Sequence, residues 1–256
     1  EIAKPRELDA DFATRVVSAV ESSLAPSLDT TPSELSERAA AKRRALSLEY
    51  NRVLTSGAFG DGRGYDTAIG VSGGGRISSQ YEFDLALLGL FTLLADARLP
   101  RERASECSRL LGDTLLAAAM PSPSAAADAA GTPTLKSLIT GMHQLLTALQ
   151  TNGYLQTYNL DDSDGDEALW AQKSDLSPTR LTLTLTDTAS LRAALLLNGR
   201  SGASPELAKP LLLAYLRARG VAIEEVGEFF LDGTYRQSPL EYRPNQQILT
   251  LTIRPK

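Results

Sequence analysis

The 256 residues carry 26 lysines and arginines against 31 aspartates and glutamates, a net charge of −5, and 43% are hydrophobic. That acidic balance, with a pI near 5.1, argues against general nucleic-acid binding, which needs a basic footprint to neutralise phosphates. One cysteine, Cys107, and one histidine, His143, exclude an intramolecular disulfide and any cysteine-cluster metal site.

No cofactor is expected, and a metal would have to be held by oxygen ligands. The best apolar run, Leu85 to Ala95, falls short of the ~20 residues that span a bilayer. No transmembrane span is therefore expected, while peripheral membrane association stays open. No signal peptide is visible. The chain begins at Glu1 and is rich in Ala, Ser and Pro, which leans towards a processed organellar protein of plastid or mitochondrion, otherwise a bacterial cytoplasmic one.

In chain order, Leu8, Phe12, Val16, Val17, Val20 and Leu24 share one face of a first helix that Ala25-Pro26-Ser27 ends. Thr31-Pro32-Ser33-Glu34 has the form of a capping box with proline at the first helical position, so a second helix is expected to run to about Thr55. Lys42-Arg43-Arg44 lies mid-helix; between a site for acidic partners and a solvated face near Glu37 and Glu49, the solvated face is preferred.

Residues 56–79, SGAFGDGRGYDTAIGVSGGGRISS, hold eight of the 19 glycines. Glycine lets a backbone approach a ligand closely but is costly to order, so such a stretch is a binding loop or a connector. Gly70-Val71-Ser72-Gly73-Gly74 matches G-x-S-x-G without the strand, helix and later acid and base of a hydrolase elbow. Gly70 to Ile77 misses the nucleotide loop, with Arg76 where lysine is needed and Ile77 where Ser or Thr is needed. Gly60-Asp61-Gly62-Arg63-Gly64 lacks the last glycine of a dinucleotide turn. What remains is an anion cradle of Arg63, Ser72, Gly73, Gly74, Gly75 and Arg76 at the start of the next helix, set against a plain connector or a tether ordered by a partner.

The helix of about Gln80 to Ala97 is apolar nearly all round, which marks it as central. After Leu99-Pro100 an amphipathic helix, Arg101 to Met120, is expected as its antiparallel neighbour. An Ala/Ser/Pro-rich linker or loop at 121–133 precedes a helix over Thr134 to Thr151.

The period then changes. Tyr154 to Leu160 reads as a strand and Glu167 to Gln172 as its partner, with the acidic Asp161 to Glu167 as a hairpin tip; an EF-hand is rejected, since Leu160 and Ala171 fall where ligands are required. Arg180 to Thr186 and Gln247 to Arg254 alternate leucine or isoleucine with threonine, as half-buried antiparallel strands do. Helices are expected over Thr188 to Leu197 and Ser204 to Arg219, with Pro210 bending the latter in its second turn, and a strand over Val221 to Leu231. Phe229 and Phe230 lead into a segment rich in Tyr, Arg and Pro, where Tyr235, Arg236, Tyr242 and Arg243 are interface-type residues.

The expected fold is α+β: residues 1–120 a mainly helical bundle with its glycine-rich loop, 134–152 a helix packing on that bundle, and 153–256 a smaller antiparallel sheet with two helices. The expected function is that of a non-enzymatic accessory protein, an assembly factor, adaptor or peripheral subunit, whose partner is another protein or a larger complex. The alternative is an anion- or phosphate-binding protein, or an enzyme of that kind, using the glycine-rich loop.

Overall fold

The computed structural model of this chain describes residues 8–55, 80–119, 133–171, 178–186, 188, 207–231 and 246–255. Four helices come first: α1 (Ala10–Leu24), α2 (Pro32–Thr55), α3 (Gln80–Asp96) and α4 (Arg101–Ala119), with a 3-10 turn at Pro26–Leu28. There follow α5 (Leu135–Thr151), β1 (Thr157–Asp161), α6 (Glu167–Ala171), β2 (Thr179–Thr186), α7 (Ala208–Ala218), β3 (Val221–Leu231) and β4 (Gln246–Pro255).

Local chemistry sets several boundaries. Asp9 caps α1 by accepting the Phe12 N–H at 2.6 Å. The capping box of α2 forms as expected: Glu34 accepts the Thr31 N–H at 2.9 Å, and the Thr31 hydroxyl oxygen accepts the Glu34 N–H at 3.2 Å. Between the two helices, Asp29 sits in the left-handed region (φ 50°). Arg103 of α4 holds that turn, donating to Asp29 at 3.0 Å and to the Ser27 carbonyl at 3.0 Å.

The helices do not simply pack in sequence order. α3 lies on α2, while α4 lies on α1 and α7. The expected α3–α4 pairing is thus corrected: the two helices joined at Leu99-Pro100 make few close contacts with each other. Each has a wide apolar surface that another helix covers more fully. From Phe83 to Phe91, α3 is buried on all sides, and only its last turns reach the surface.

The four strands form one sheet in the order β1-β2-β4-β3, each neighbour antiparallel. β2 and β3 therefore run parallel with β4 between them, and a parallel relation needs a crossover; α7 lies on it. Leu181, Leu183 and Leu185 of β2 and Leu249, Leu251 and Ile253 of β4 are buried, while Thr182, Thr184, Thr250 and Thr252 are only half-buried. The leucine–threonine alternation thus separates a helix-covered face from an outer one, and the chain is α+β with N-terminal helices and a C-terminal sheet. One cluster of buried side chains runs from Phe12 to Ile253, so helices and sheet share a core.

Two helical glycines fix how closely α7 seats. A Cβ on Gly112 of α4 would lie 2.2 Å from the Pro210 carbonyl oxygen. One on Gly141 of α5 would lie 2.0 Å from the Tyr215 hydroxyl, which donates to the Leu138 carbonyl at 3.0 Å. Burial pushes the Tyr215 phenol above its ordinary pKa, against a weaker opposite pull from the Arg219 charge.

Three further expectations are corrected. Glu167 to Gln172 is not a strand: α6 occupies Glu167–Ala171, and β1 pairs with β2 instead. Pro210 lies in the first turn of α7, where its missing N–H breaks no helical bond, so no bend is needed. β1 also starts later than expected, at Thr157, because the Tyr154 N–H still bonds the Leu149 carbonyl and closes α5. Of the helix expected over Thr188 to Leu197, only Thr188 is among the described residues.

Candidate functional site

Neither candidate constellation can be placed. Arg63, Ser72, Gly73, Gly74, Gly75 and Arg76 lie outside the described residues, and so do Tyr235, Arg236, Tyr242 and Arg243. Their anchor points are described. The glycine-rich stretch runs from Thr55, the end of α2, to Gln80, the start of α3. Four residues into α3 stands Asp84, fully buried and held by a partner. A buried carboxylate in so apolar a helix must be paired, because desolvating a lone charge is prohibitive. The apolar run hid this residue from the sequence reading.

The Tyr/Arg/Pro segment joins Leu231 to Gln246 in the chain, and these two pair in register. Two residues before Leu231, Phe229 is 59% exposed. It stands opposite Ile248 on the outer face of the sheet, in a row that continues through Thr184 to Asn159. Phe229 was singled out with Phe230 by sequence, and among the described residues no helix covers the face on which it is exposed.

The acidic stretch has structural duties rather than a shared ligand. The Ser163 N–H bonds to Asp161 at 3.0 Å and holds the Asp161 carboxyl below its ordinary pKa. Asp166 accepts the Ala168 and Leu169 N–H groups at 2.8 and 3.2 Å and so caps α6. Glu167 reaches across to the start of α5, accepting Leu135 N–H at 3.1 Å and Lys136 N–H at 2.9 Å. The expected hairpin tip is therefore a cap-and-turn element. Among the described residues, no three His, Cys, Asp or Glu side chains converge as metal ligands would. No described helix is long and apolar enough to cross a membrane.

The remaining singled-out residues have plain settings. His143 is exposed on α5; its Nδ1 lies 3.3 Å from the Tyr158 hydroxyl, which also meets Thr147 Oγ1 at 2.9 Å. Trp170 is buried, on α6 instead of a strand, and its Nε1 donates to the Pro133 carbonyl at 2.8 Å. Lys42 pairs with Asp96 at 3.1 Å. Cys107 is a buried free thiol whose pKa burial pushes up, with Ser27 pulling weakly the other way. A thiol so shifted is a poor nucleophile at neutral pH.

A half-open concavity lies among the described residues. It occupies the angle that α3 and α4 leave open, has a volume of about 320 Å³, and reaches Pro210 of α7. α3 contributes Phe91 and Leu94, the turn after it contributes Arg98, and α4 contributes Cys107 and Leu111. Spacings of three and four residues put Phe91 with Leu94, and Cys107 with Leu111, on one stripe of each helix. Arg98 is the one charged residue among the described lining residues and has φ 46°, the left-handed region. The sequence reading passed over it; the available signal was a helix stop before Leu99-Pro100 with arginine where glycine usually stands.

Against known proteins, the chain matches no protein-family model, no curated protein and no solved structure.

Proposed function

We propose that this chain is a non-enzymatic accessory protein, an assembly factor, adaptor or peripheral subunit, that works through contacts with a protein partner. The observation that carries the reading is Phe229. A phenylalanine 59% exposed on the outer face of a sheet, beside Ile248 and at the root of a segment containing Tyr235, Arg236, Tyr242 and Arg243, has the composition of an interface core. Aromatic and arginine side chains supply most of the energy at such surfaces. The duties found for Glu34, Asp166 and Glu167 as helix caps add weight, since they leave those carboxylates committed to the fold.

The test is co-purification from native extract of the parent chain and of Phe229→Ser, with the proteins identified by mass spectrometry. The parent is expected to bring down a stoichiometric partner that Phe229→Ser loses while melting at the same temperature. A parent chain that purifies alone at every ionic strength overturns the reading.

A further inference from the structure

We propose that the cleft between α3 and α4 binds an amphiphilic carboxylate, with its hydrocarbon against Phe91, Leu94 and Leu111 and its head group on Arg98. The inference is independent of the surface at Phe229. A volume of about 320 Å³ falls within the roughly 300–1,000 Å³ range of small-ligand sites, which are mostly apolar with a few placed polar groups. Three elements converge on it, with α3 and α4 as walls and Pro210 of α7 at one side. It is a half-open concavity bordered by three elements rather than a furrow along one helix pair.

The charge pattern selects the head group. Among the described lining residues Arg98 is the one charge, and its side chain makes no hydrogen bond or ion pair with any described residue. The nearest acid in sequence, Asp96, is already engaged by Lys42 at 3.1 Å. Arginine presents a planar fork that matches a carboxylate. Its backbone, at φ 46°, is the left-handed stop that follows α3, where glycine would be the unstrained residue.

Cys107 provides a reporter. It is the single cysteine of the chain, is buried, and lines the cleft, so any alkylation reads this site alone. The full chain is titrated with decanoate, decyltrimethylammonium and decanol, each below its aggregation concentration. Melting temperature and the rate of Cys107 modification by N-ethylmaleimide are followed. Decanoate at about ten times its Kd is expected to raise the melting temperature and slow modification about tenfold, while the ammonium does neither and decanol acts weakly. Arg98→Gly relieves the backbone and is expected to melt close to the parent, yet to bind decanoate about tenfold or more weakly through loss of a charge-assisted pair. Leu111→Trp fills the cleft and is expected to abolish protection.

Equal protection by the ammonium and the carboxylate overturns the proposal, as does an Arg98→Gly variant that binds decanoate like the parent. Absence of decanoate binding overturns it too. Protection that rises with protein concentration alone would assign the cleft to a second copy of the chain and overturn it equally.

Discussion

α2 and α5 begin with the same problem and solve it differently. Each first turn leaves backbone N–H groups without helical partners, and each opens on a threonine whose side-chain oxygen accepts the N–H three residues on, Glu34 at 3.2 Å and Ser137 at 3.1 Å. In α2 the completing acid is the third residue itself, since Glu34 turns back to the Thr31 N–H. In α5 that position is Ser137, which donates its hydroxyl to the Thr134 carbonyl. The acid is imported instead: Glu167 of α6 takes both Leu135 and Lys136 N–H. The first start is complete within four residues and can form with its helix. The second is complete only when α6 is seated, so it is a tertiary contact serving as a cap.

What seats α6 is Trp170, and removing it is the most direct way to break the comparison. Its ring is buried and its Nε1 is bonded to the Pro133 carbonyl just before the α5 cap. Trp170→Ala is expected to cost about 3–5 kcal/mol, the usual range for deleting a buried tryptophan. It should also free the α5 start while leaving that of α2 intact. Chemical denaturation gives the first quantity, and hydrogen exchange at Leu135, Lys136 and Thr31 the second. Protection at Leu135 and Lys136 that survives the substitution would show that α6 does not depend on its tryptophan.

Glu167→Ala sharpens the comparison without emptying the core. Two backbone donors lose a charged acceptor at a site open to water, so a loss of about 1–2 kcal/mol is expected, the scale of a helix cap. Exchange at Leu135 and Lys136 should rise while the Ser137 amide, still held by Thr134, stays slower. Uniform acceleration across the whole first turn would mean that the two caps act as one unit.

The same contrast explains how much of the molecule can be read from its residues. Thr31 to Glu34 declares a helix start because both partners lie within one turn. The strands of Leu181 to Leu185 and Leu249 to Ile253 declare themselves because burial follows a period of two, and the pairing of Leu183 with Leu249 keeps both on one face. Glu167 to Ala171 misleads because five residues cannot show a helical period, and because the duty of Glu167 is fixed by a partner about thirty positions away. Gly112 and Gly141 are equally silent: nothing local says which helical glycine will face a proline carbonyl or a tyrosine hydroxyl. Arg98 follows the same rule, since a left-handed arginine is a property of the backbone and not of the residue pattern. Of the candidate surface, Phe229 was legible from its aromatic neighbourhood, whereas the cleft was not, because it exists through two helices that do not pair.

The smallest expected effect lies at the local start and is read by pH. Glu34 accepts the Thr31 N–H foremost, then the Thr30 and Thr31 hydroxyls, each at 3.0 Å, and these bonds hold its carboxyl below the ordinary glutamate value. In the unfolded chain the bonds are gone and the ordinary value returns. The folded form therefore binds its proton less readily. The contribution is fully present above the ordinary value and is lost as pH falls through the lowered one. Glu34→Gln keeps an acceptor oxygen but does not titrate. The parent should thus melt slightly above the variant at neutral pH, and the gap should close as the solution is taken into that acid window. Asp161, lowered in the same direction by the Ser163 N–H, is present in both proteins and cancels in the difference. A gap that stays constant across the window would show that the neutral acid caps α2 as well as the carboxylate does. Glu34 would then act by hydrogen-bond geometry alone, and charge would separate neither this start from that of α5 nor one cap from the other.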